Sequence, residues 1–221
     1  MPGKSVTVTT VRYQFRDPVS GFTHLVGAFL GAVGWVLLLM HSSGGALHAV
    51  AYSIFGVSLI LLYTSSSLYH LLDVSPQAKL VFRQIDHAMI YLLIAGSYTP
   101  FCMLALRGRL GYGVLALVWG FAVAGIVISI LWIHAPRWLS TTLYLFIGWI
   151  AVVAIYPLSQ VLSSSGLYWL IGGGLFYTAG AVIYALKWPD PFPSTFGFHE
   201  IWHLFVLAGS ASHFVSVSTI P

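Results

Sequence analysis

His199 and His203 stand four residues apart at the opening of the last long apolar stretch of the chain. On a helix that spacing puts both imidazoles on one face, where they can share a tetrahedral ion. Written out, His199-Glu200-Ile201-Trp202-His203 reads HExxH, the zinc-peptidase pattern in which the glutamate is the general base. Five residues with three fixed recur by chance, and two core histidines bonded to neighbouring carbonyls explain the same pair. Upstream, His70 closes the second apolar stretch, and Asp86 and His87 open the third. If these stretches cross a bilayer as helices, three helix ends bring nitrogen and carboxylate ligands to one depth, which favours a metal over core packing.

Ser66 precedes His70 by one helical turn and shares its face. Its hydroxyl would polarise a ligand or a metal-held water; the alternative is a bond to its own helix carbonyl, the preferred reading for Ser65 and Ser67. Asp86 needs a partner, because a carboxylate costs about 2.5–3.5 kcal/mol at the bilayer centre and less near the interface. The metal or its water is the preferred partner, and a salt bridge to Arg83, three residues earlier, is the alternative.

The elements that must carry these residues are membrane helices. The chain has 221 residues, 58% hydrophobic and 6% charged, where soluble domains carry roughly 25% charged residues. At about 20 residues per crossing there is room for eight or nine helices at most, and for no separate soluble catalytic domain. Apolar runs bounded by polar, Gly or Pro punctuation predict seven spans: Phe22 to Met40, Leu47 to Leu72, Val81 to Leu106, Gly111 to Ile133, Leu139 to Val161, Leu167 to Leu186 and Phe198 to Val217. The fold class is therefore an all-α integral membrane bundle of seven transmembrane helices over residues 21–217. Residues 1–20 precede it as a polar cytoplasmic tail, and no removable signal peptide is expected.

Cytoplasmic segments retain Lys and Arg. With the N-terminus inside, the inner segments carry Lys4, Arg12, Arg16, Lys79, Arg83, Arg137 and Lys187, and the outer ones only Arg107 and Arg109. The N-terminus is thus cytoplasmic and the C-terminus outside, opposite to a G-protein-coupled receptor. A retinal protein is disfavoured, since the seventh span has no lysine. The scattered basic residues, net +4, do not suggest a nucleic-acid partner. A single cysteine, Cys102, excludes an internal disulfide and any CxxC motif. In this topology Asp17, Asp73, Asp86, Asp190 and Glu200 all fall on the cytoplasmic side, with His70, His199 and His203.

At these residues the sequence resembles the haemolysin III proteins, the bacterial branch of the progestin and adipoQ receptor family. The resemblance rests on Thr23-His24-x-x-Gly27, Ser66-x-x-x-His70, Arg83-Gln84-Ile85-Asp86-His87, Gly96-Ser97-Tyr98-Thr99-Pro100, His199-x-x-x-His203 and Ser212-His213-Phe214, running from about Asp17 to His213. It implies a bacterial inner- or plasma-membrane protein with a zinc ion near the cytoplasmic face, held at the positions of His70, His199 and His203, with Asp86 reaching the metal through water. Adiponectin receptors of this family are linked to ceramide hydrolysis, and the family is similar to alkaline ceramidases in this arrangement. Glu200 stands where the adiponectin receptors have Gln, so it is not assigned the general base; an acid at a helix N-terminus suits the helix dipole.

The resulting expectation is a zinc-dependent hydrolase of a membrane lipid amide such as a ceramide. Three histidines leave a fourth zinc position open for water. Asp86 would hold that water and accept its proton, while zinc and Ser66 stabilise the oxyanion. The rival readings are a non-enzymatic signalling or membrane-homeostasis regulator with a structural zinc and Asp86 as fourth ligand, a pore-forming cytolysin, and an intramembrane protease that would need Glu200. Among the other histidines, His24 is expected to make an interfacial hydrogen bond and His87 to point away from Asp86. His213 lies about 15 Å beyond His203 by helix rise, too far to share the ion. Gly172-Gly173-Gly174 predicts close helix packing, and Trp and Tyr near span ends an aromatic belt.

Overall fold

The computed structural model describes residues 15–42, 44–132, 134–193 and 195–221. Lys4 and Arg12, and most of the expected tail, lie outside the described residues. Among the described residues seven helices are long and apolar enough to cross a membrane: α1 (Pro18–His41), α2 (Gly45–Leu71), α3 (Pro76–Leu106), α4 (Gly108–Leu131), α5 (Arg137–Ser159), α6 (Ser164–Leu186) and α7 (Phe198–Ser218). No strand occurs among these residues, only an isolated bridge between Phe192 and Phe196 in the α6–α7 connection.

Several helices start a turn earlier than the apolar runs, because polar caps and prolines open them. Pro18 stands at the start of α1 behind Asp17, and Pro76 opens α3 behind Ser75. Proline's fixed φ suits the first helical turn, where its missing N–H costs nothing. The Ser75 hydroxyl accepts from Ala78 N at 3.3 Å, and Ser163 accepts from Gly166 N at 3.1 Å at the head of α6.

α1 packs on α2 and α7, α2 on α3, α3 on α4, and α6 on α7, while α5 bridges α3 and α4 to α6. The inward stripe of α1 is Ser20, Gly21, His24, Gly27, Gly31, Gly34 and Leu38. A Cβ on Gly27 would come within 2.6 Å of Leu207 and 3.0 Å of Tyr63, so glycine there lets α1 lie against α2 and α7 together. Of the three consecutive glycines in α6, only Gly173 is closely approached, by His213; Gly172 and Gly174 face open space.

α5 is not a regular helix. Residues Ile150–Ala154 wind into tighter 3-10 turns just before Pro157, whose ring and missing N–H break the ladder. The Tyr98 hydroxyl reaches in from α3, accepting from Ala151 N at 2.8 Å and lying 2.6 Å from Gly148 O and 2.9 Å from Ile147 O. Backbone groups freed in a membrane helix need such partners, since lipid offers none. α3 likewise ends in wider π-type turns, Phe101–Leu106, directly after Pro100.

Candidate metal centre

Two helix ends supply the histidines and a third brings a carboxylate near them. His70 is in the last turn of α2, Asp86 lies in the third turn of α3, and His199 and His203 occupy the first two turns of α7. One ring nitrogen from each of His70, His199 and His203 lies within 4.8 Å of the other two, a group that could hold a metal ion. His70 Nε2 and His199 Nε2 are 3.3 Å apart. Two nitrogens bound at 2.0–2.1 Å to a tetrahedral ion are separated by about 3.3–3.4 Å, so this pair already has the spacing of zinc ligands. A neutral hydrogen-bonded pair would have the same spacing, but it would not gather a third imidazole. The all-nitrogen donor set suits zinc.

Two of the three imidazoles are buried: His70 and His203 are each 3% exposed, and His203 Nδ1 has no hydrogen-bond partner among the described residues. Ser66, 2% exposed, lies beside the Asp86 carboxylate. Among the described residues Ser66 bonds no carbonyl of its own helix, whereas Ser65 donates to Leu62 O at 2.9 Å. The salt-bridge alternative for Asp86 is not what forms. Its polar neighbour is His87, whose Nδ1 is 3.5 Å from Asp86 Oδ2. His87 therefore does not point away from Asp86 as its position on the helix suggests, because its ring folds back to the Arg83 carbonyl, 2.9 Å from Nδ1.

His24 also differs from the sequence expectation. It is 3% exposed, neither ring nitrogen has a hydrogen-bond partner among the described residues, and its ring stacks on His203 at 3.8 Å between centroids. The inward glycine stripe of α1 carries it against α7 rather than to an interface.

Glu200 is occupied elsewhere. One carboxylate oxygen accepts from Gly197 N at 2.8 Å and the other from Ser20 Oγ at 2.9 Å. The glutamate of HExxH thus caps its own helix and ties it to α1, which leaves the literal peptidase reading without a free base.

Sequence reasoning placed Asp17 on the histidine side but gave it no role, and did not single out Ser20; both are polar residues around the first turn of α1. Asp17 Oδ2 is 3.2 Å from His70 Nδ1 and 3.4 Å from Arg16 Nη2. The hydrogen bond from His70 and the Arg16 charge keep its carboxyl below the usual carboxylate range, against a smaller opposing effect of partial burial. An acid just before a helix-opening proline, on the side of the bundle that carries the histidines, was the available signal.

Beneath the histidines lies a cavity of about 350 Å³ between the helices. Ser66, Asp86, His199 and His203 line one part of it, and Leu93, Phe101, Leu145, Leu158 and Val206 are among the apolar side chains of the rest. A second, polar depression reaches the cluster from outside, past Arg16, Asp17, Tyr69, Glu200 and the His70 ring. The imidazoles thus stand between a polar mouth and an apolar chamber.

Fold and site define a seven-helix integral membrane protein with a histidine-rich, metal-competent centre at one end of the bundle. The sequence profile described as Haemolysin-III related matches residues 13–214. Hemolysin-3 of Bacillus cereus is 41% identical over 205 residues, spanning 91% of this chain and 90% of that protein. The Hemolysin-3 homolog of Bacillus subtilis (strain 168) is 40% identical, over 91% of this chain and 92% of its own. The adiponectin receptor protein of Drosophila melanogaster is 28% identical over 89% of this chain and 49% of its own length. The chain belongs to the haemolysin III family and is a multi-pass integral membrane protein.

Proposed function

We propose that this protein is a zinc-dependent hydrolase of membrane lipid amides, with a ceramide-like lipid as substrate and its metal centre on the cytoplasmic side. The observation that carries the reading is the gathering of three imidazoles, a buried carboxylate and a serine hydroxyl against an apolar cavity. The orientation rests on the distribution of Lys and Arg. A cavity of about 350 Å³ falls in the range of small-molecule sites, roughly 300–1,000 Å³, and its leucine and phenylalanine walls suit an acyl chain.

His70, His199 and His203 would hold the ion. Zinc, when bound there, supplies a Lewis acid that polarises a carbonyl and acidifies water. Asp86 takes the proton of the attacking water as its oxygen adds to the amide carbon, then delivers it to the leaving nitrogen as the C–N bond breaks. The products are a fatty carboxylate and a protonated amine, the second proton of the water passing from the new carboxyl group to the amine. Ser66, beside Asp86, donates to the oxyanion that forms on the carbonyl. The apolar chamber binds the acyl chain and excludes bulk water from the reacting atoms.

The test is turnover of a panel of lipid amides, ceramide included, by purified protein in liposomes. Asp86→Asn should retain zinc and lose about 10²–10⁴-fold in rate. Persistence of every turnover in that variant would remove Asp86 from the reaction. A competing reading, a structural zinc in a non-enzymatic regulator, is favoured by the way the three histidines join α2 to α7. Under it Asp86 is a direct fourth ligand, and Asp86→Asn loses zinc instead of rate. The cytolytic reading, suggested by the names of the Bacillus relatives, predicts conductance in protein-loaded liposomes; the hydrolase reading predicts none.

A further inference from the structure

α1 supplies none of the three clustered histidines, yet its first residues grip the ligand that α2 supplies. Asp17 N–H donates to the His70 carbonyl at 3.1 Å. In return, Asp17 Oδ2 is 3.2 Å from His70 Nδ1. The two residues therefore close a two-point clasp across 53 positions of sequence. Arg16 Nη2, 3.4 Å from the same carboxylate oxygen, holds that oxygen in place. The His70 side chain is 4% exposed, so its ring has little freedom beyond this clasp.

We propose that Asp17 is a positioning residue that sets the tautomer and the angle of His70. A carboxylate can only accept, so the ring hydrogen of a neutral His70 must be on Nδ1. Nε2, the atom 3.3 Å from His199 Nε2, is then left with its lone pair facing the cluster. A histidine ligand whose other nitrogen donates to a carboxylate is oriented and made more basic by it. The inference rests on reading the three histidines as metal ligands. It adds that a residue outside the bundle's ligand set decides how well one of them binds. The other contacts of α1 act differently: Ser20 meets Glu200 at 2.9 Å and His24 stacks on His203.

The experiment measures zinc affinity of the purified full-length protein by chelator competition, with visible absorption of the cobalt-loaded form as a second readout. Asp17→Ala, which removes the acceptor, should weaken zinc binding about 10- to 100-fold and alter the cobalt bands. Asp17→Asn keeps a neutral acceptor and the side-chain size; a smaller loss in the same direction is expected, and it serves if the alanine variant does not fold. Ser20→Ala should lower thermal stability while leaving affinity and cobalt bands as in the wild type. A merely structural role for Asp17 would make its variants behave like Ser20→Ala. Folded Asp17 variants with wild-type affinity and bands would overturn the proposal. A wild-type protein that binds neither metal would overturn the metal reading itself and the proposal with it, and that result is distinct because it appears before any substitution.

Discussion

His203 and His213 stand ten residues apart on α7, both with buried ring nitrogens that lack hydrogen-bond partners among the described residues. Their surroundings differ in kind. His203 has the rings of His24, His70 and His199 within 5 Å between centroids. His213 lies against Gly173 and the Tyr177 ring, 5.3 Å away, with no second imidazole beside it among the described residues. Burial without a partner is thus not what marks a metal ligand, since it is common to both. What separates them is convergence: three helix ends arrive at His203, and only a close-packed pair, α6 and α7, at His213.

The comparison breaks most sharply through the metal. His203→Ala should abolish stoichiometric zinc, while His213→Ala should retain it; equal loss in both would show that the two histidines act alike. His213→Ala should still cost about 2 kcal/mol or more of stability from the cavity it leaves, read as a lower thermal midpoint of the zinc-loaded protein. Tyr98→Phe, far from the histidines, leaves Ala151 N and the nearby α5 carbonyls without their hydroxyl partner. It should cost about 1–3 kcal/mol with zinc content unchanged, and a loss of zinc would tie the α5 break to the centre. Ser20→Ala frees one oxygen of Glu200 and should have the smallest effect, about 1 kcal/mol.

The seven helices were legible because a bilayer demands long apolar runs, and such runs are read from composition alone. Their first turns were less so: Pro18 and Pro76 start helices outside the apolar runs, since capping and proline geometry, not hydropathy, fix those boundaries. The histidine cluster was legible for a related reason. Depth and a four-residue spacing were enough to point to the group of His70, His199 and His203, while Asp86 lines the adjoining cavity. Contacts across helices were not legible. The fold of the His87 ring back toward Asp86, the stacking of His24 on His203 and the clasp of Asp17 on His70 depend on helix rotation and side-chain rotamers. No linear spacing encodes those. Glu200 illustrates the limit, for the pattern HExxH offers it as a base and the structure engages both its oxygens.

The most direct test of the central claim is elemental mass spectrometry of detergent-purified protein, wild type beside a His199→Ala/His203→Ala variant. The account predicts about one zinc per wild-type chain and none in the variant. A folded wild type without zinc, or a variant that keeps it, would contradict the metal centre and return His70, His199 and His203 to core packing.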